Sequence, residues 1–69
     1  MKYDFTNVTR DYVNQLVNSD EFKKYVLEES YEDEWKDECL HIEECEYRIT
    51  ITYVVDEETC FKQTFYLTK

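Results

Sequence analysis

The sequence predicts an α+β fold in which two N-terminal helices pack on one face of a three-stranded antiparallel β-meander, in the order α-α-β-β-β. Three observations carry this. Apolar residues recur at helical spacing through the first thirty positions. From Cys45 to Val55 they alternate with period two, and a second alternating run follows Asp56-Glu57-Glu58.

Residues 1–30 read as helical. Val8, Tyr12, Val13, Leu16 and Val17 form one apolar stripe, with Asn7 or Thr9 as the N-cap. Phe22, Tyr25 and Val26 then lie about 130° around the helix from that stripe, at 100° per residue. Asn18-Ser19 falls between the groups, and Asn18 with Glu21 is close to a capping box. The sequence therefore predicts two helices, 8–17 and 20–30, rather than one. Residues 45–68 predict a hairpin. Cys45, Tyr47, Ile49, Ile51, Tyr53 and Val55 share one face, as do Phe61, Phe65 and Leu67 after the turn. Matching these faces requires an odd number of intervening residues, which a three-residue loop at 56–58 provides. A third strand falls within 35–42. Leu40 and Ile42 join the apolar face across a Glu43-Glu44 turn, and Trp35 falls on the other face, so the strand begins after it. Segment 30–36 is either a loop or a helical extension.

At 69 residues the chain reads as one domain, 1–69, with little depth for a substrate pocket. It contains no glycine, which excludes a P-loop, a dinucleotide fingerprint and an EF-hand loop. Cys39, Cys45 and Cys60 are odd in number and include no C-x-x-C pair, so they read as free thiols in a reducing cytoplasm. Zinc would require all three together with His41, and no metal site or cofactor is expected. Were both on one strand, Cys39 and His41 would stand about 6.6 Å apart, too far for a nucleophile and its base. No enzymatic activity is predicted. The opening Met-Lys-Tyr-Asp-Phe holds no apolar run, which suits a cytoplasmic protein without a signal peptide or membrane partner.

The informative feature is charge. The chain carries a formal net charge of −9. Within 28–46 lie ten acids (Glu28, Glu29, Glu32, Asp33, Glu34, Asp37, Glu38, Glu43, Glu44 and Glu46) and one base, Lys36. The remainder holds seven acids and seven bases, including Lys2 and Lys69 at its ends, so the whole net charge belongs to this segment. Such a surface repels nucleic acid, and without a D-x-D-x-D-G loop it is no calcium site. It can instead present carboxylates where a phosphate backbone would place its charges. If 28–38 were helical, four like-charge pairs at i,i+4 would cost roughly 1–2 kcal/mol, a penalty that marks function over stability. Tyr31 and Trp35, embedded among the acids, suit an interface, and Trp35 equally suits the core.

In length, α+β reading and carboxylate density, the chain resembles the small acidic inhibitors that bacteriophages direct against host DNA-processing and defence machinery, anti-CRISPR proteins above all. The resemblance implies a stoichiometric inhibitor in the bacterial host cytoplasm, monomeric or homodimeric. Its partner would be a basic nucleic-acid-binding complex, with a CRISPR effector favoured. The twelve residues from Glu28 to Glu46 named above, Tyr31 and Trp35 included, are the expected partner-binding site. The alternative is a small non-enzymatic adaptor that works through an apolar surface, its acids serving solubility alone.

Overall fold

The computed structural model describes residues 3–68; Lys2 and Lys69, counted among the bases, lie outside the described residues, as do the first two positions of the expected helical region. The architecture is α+β. Strand β1 (Thr6–Val8) precedes helices α1 (Arg10–Val17) and α2 (Asp20–Ser30). A 3₁₀ turn (Asp37–Cys39) then leads into β2 (Leu40–Glu44), β3 (Arg48–Val55) and β4 (Glu58–Leu67).

Both helices form where the shift of the apolar stripe placed them. Thr9 caps α1, its hydroxyl accepting the Tyr12 amide at 3.1 Å. Ser19, rather than Asn18, caps α2: its Oγ accepts the Phe22 amide at 3.2 Å and donates to the Leu16 carbonyl at 2.7 Å. Phe22, Val26 and Ser30 recur every fourth residue, and that stripe is buried. Phe22 is the hub of an aromatic cluster, with the Tyr3, Tyr25, Phe61 and Phe65 rings centred 5.4–6.4 Å away.

The predicted three-strand antiparallel meander is present but incomplete, because the sheet has four strands and is mixed. Its order is β1-β4-β3-β2, with β1 parallel to β4. Residues 6–8, expected to open the first helix or lie ahead of it, form the added strand. Val8 is buried against the core rather than on the helix stripe. The Tyr66 amide donates to the Phe5 carbonyl at 2.7 Å, and that of Thr68 to Val8 at 2.8 Å.

The hairpins depart from expectation in position. The β2–β3 turn falls at Glu46-Tyr47 instead of Glu43-Glu44, closed by the Cys45 amide on the Arg48 carbonyl at 2.8 Å, so β3 begins at Arg48 and not at Cys45. The β3–β4 loop has two residues, Asp56 and Glu57, not three. The odd residue that face-matching demands is a bulge. Val54 pairs with Thr59 and Tyr53 with Phe61, which leaves Cys60 as the extra position. Ile49, Ile51, Tyr53, Phe61 and Phe65 thereby share the helix-covered face. The opposite face carries Arg48, Thr50, Thr52, Lys62 and Thr64 with no helix over it.

Candidate functional site

The acidic segment begins where α2 ends. Tyr31 adopts the left-handed conformation (φ 58°, ψ 38°), its amide donates to the Glu28 carbonyl at 3.4 Å, and that of Glu32 donates to Leu27 at 3.0 Å. These two bonds form a Schellman stop, a position usually given to glycine. The helical extension over 28–38 therefore does not form, and with it go the four like-charge i,i+4 pairs. Ending the helix early spares that repulsion. Glu28 and Glu29 remain in its last turn, where the helix dipole disfavours them.

The loop that follows folds over Tyr53. This tyrosine is fully buried on β3, and its hydroxyl accepts the Lys36 amide at 2.9 Å. Burial pushes its phenol above the ordinary value, and the Lys36 amide opposes the rise. Trp35 stacks on the Tyr53 ring at 4.8 Å and donates from Nε1 to Asp37 Oδ1 at 2.7 Å. Lys23 Nζ stands 5.7 Å from the centre of the Trp35 ring. Trp35 thus works as a half-buried lid on the core that also orients Asp37. Tyr31 is its opposite, 94% exposed among the acids.

Beyond the 3₁₀ turn the segment becomes the sheet edge. Cys39 lies in that turn and not on a strand, while His41 lies on the uncovered face beside Thr52, so the two never alternate along one strand. Glu43 is on the uncovered face and Glu44 on the covered one. At the far end Arg10 binds Glu44 Oε1 at 2.6 Å and the carbonyls of Cys45 and Glu46 at 3.0 and 3.2 Å, holding the β2–β3 turn to the start of α1.

The ten acids therefore divide. Glu28 and Glu29 close α2, and Glu32, Asp33, Glu34, Asp37 and Glu38 follow on the loop and 3₁₀ turn that pack on β3 at Tyr53. Glu43, Glu44 and Glu46 follow β2 toward Arg10, about 14 Å further at strand rise, beyond one Debye length at physiological salt. The sequence reading missed Asp56, Glu57 and Glu58. Their turn leaves the sheet beyond Tyr53, at the end where the 3₁₀ turn packs, and adds three exposed acids to the first group. Their clustering along the chain was visible, but the face-to-end topology that places them there was not. Among the described residues the one ion pair is Arg10–Glu44, so every acid of 28–38 lacks a cationic side chain in contact.

Comparison with known protein families, with curated proteins and with solved structures finds no match. Among the described residues no cluster of His, Cys, Asp and Glu could hold a metal ion, and no helix is long and apolar enough to cross a membrane.

Proposed function

We propose that this chain is a stoichiometric, non-enzymatic inhibitor of the anti-CRISPR kind it resembles, whose acidic end occupies the basic nucleic-acid groove of a host effector complex. The observation that carries the reading is that, among the described residues, the acids in 28–38 make no ion pair. Seven carboxylates lie within 28–38 beside one lysine and without an ion pair among the described residues, on a chain whose positions outside 28–46 balance in charge. A surface built for stability would intersperse lysines there. Instead the stretch offers Tyr31 as an exposed aromatic anchor and carboxylates on a tied-down loop, which limits the ordering entropy lost on docking. The alternative adaptor reading draws less support, since the uncovered sheet face breaks its apolar groups with Thr50, Thr52, Lys62 and Thr64.

The test is a pull-down from bacterial lysate at about 0.05 M and about 0.5 M salt, with the wild-type chain beside a variant carrying Glu32→Gln, Asp33→Asn, Glu34→Gln and Asp37→Asn. A nucleic-acid-binding complex recovered at low salt only, lost with the variant and displaced by duplex DNA, supports the proposal. Equal capture by the folded variant overturns it.

A further inference from the structure

Resting on that reading, we infer that the partner engages β2 by strand addition, contributing an extended segment that alternates apolar and basic residues. Among the described residues strand β2 is an edge, paired only with β3. The ladder fixes which of its backbone groups are open. Cys45 and Arg48 form a hydrogen-bonded pair, so His41 and Glu43 also turn their groups toward β3. Those of Leu40, Ile42 and Glu44 turn outward. The Leu40 amide is taken by the Asp37 carbonyl. The edge is left with the amides of Ile42 and Glu44 as donors and the carbonyls of Leu40, Ile42 and Glu44 as acceptors.

Ile42 sits at the centre of this edge on the covered face, yet it remains 47% exposed because the helices reach over β4 and β3 and stop short of it. A partner strand would set an apolar side chain beside Ile42 and, one residue along, a basic one beside Glu43. Glu38 and Glu46, at the two ends of the strand, add to the negative field that a basic strand would meet, while Glu44 is already paired with Arg10. No proline blocks the edge, since the chain has none.

Charge decides between this occupant and a second copy of the chain. A two-fold pairing about Ile42 would place His41 opposite Glu43 twice, but it would also bring together two segments that each carry the full net charge of −9. A lysine- or arginine-bearing strand meets the same backbone groups with attraction. The acids therefore reject an acidic strand and favour a basic one over a neutral one.

The probe is an acetylated and amidated heptapeptide of alternating Lys and Val. A twin N-methylated at every second residue keeps the charge and removes the donors of one edge. Strand addition predicts amide shift changes and slowed hydrogen exchange at Ile42 and Glu44, with binding of the N-methylated twin weaker by about tenfold or more. It also predicts loss of binding in Ile42→Pro, whose substituted nitrogen faces away from β3, and in Ile42→Lys, with unchanged β3 and β4 amide shifts certifying both folds. Equal binding of the two peptides without protection overturns strand addition and leaves the acidic-groove reading standing. Failure of every peptide overturns it as well, whatever the pull-down recovers. Protection of Ile42 and Glu44 without peptide, together with a mass that doubles with concentration, overturns it in favour of self-pairing.

Discussion

Tyr31 concentrates the conflict between fold and surface in one residue. Its left-handed backbone disfavours a β-carbon by roughly 1–2 kcal/mol, and its side chain, 94% exposed, gains little burial in return. Glycine would relieve the backbone but would free the unfolded chain by roughly 0.5–1 kcal/mol. Tyr31→Gly is therefore expected to leave the urea midpoint unchanged or raise it by up to about 1 kcal/mol equivalent, while weakening capture of the partner. Urea unfolding beside the pull-down checks both halves, and a loss above about 1 kcal/mol would mean that the ring packs for stability. The same residue explains why the helix end was illegible. A helix stop is read from Gly or Asn at this position, and a chain without glycine writes it with tyrosine. Trp35 was ambiguous for a related reason: its stacking partner, Tyr53, lies eighteen positions on and becomes its neighbour only through the sheet.

At the scale of elements, the long periodic ones were legible and the short, irregular ones were not. The stripe shift resolved α1 from α2, and period-two alternation gave β3 and the far half of β4. Strand β1 has three residues and pairs in parallel with the far end of the chain, so no local pattern could announce it. The β3–β4 hairpin shows how parity survives a wrong loop length. Face matching required one odd residue, and the bulge at Cys60 supplies it while the turn itself stays at two. Asp56 and Glu57 both hold positive φ, 51° and 66°, as a type I′ turn demands. Asn-Gly is the favoured pair there, so Asp56→Asn with Glu57→Gly should stabilise the protein by about 1 kcal/mol. Measured in high salt, where the loss of two charges matters least, the gain reports turn geometry alone. An unchanged or lower midpoint would show that the native pair is held by contacts the turn type does not require.

At the scale of the molecule, charge and fold oppose each other. Radius and shape place the acids close: the chain measures 35 × 24 × 15 Å, so few of them lie further than a few Debye lengths from the rest. The carboxylates at the 3₁₀ end repel one another in the folded state more than in an expanded chain, and among the described residues the single ion pair, Arg10–Glu44, is exposed and contributes at most about 1 kcal/mol. Raising salt from about 0.01 M to about 1 M shortens the Debye length from about 30 Å to about 3 Å, which removes more repulsion than attraction. The free protein should therefore become more stable as salt rises, by about 1 kcal/mol or more in urea unfolding with sodium chloride, the four-carboxylate variant should gain less, and partner binding should weaken over the same range. The opposite signs are the signature of a surface kept acidic at the expense of its own fold. Stability that falls with salt would mean that the acids are satisfied within the molecule and need no external basic partner.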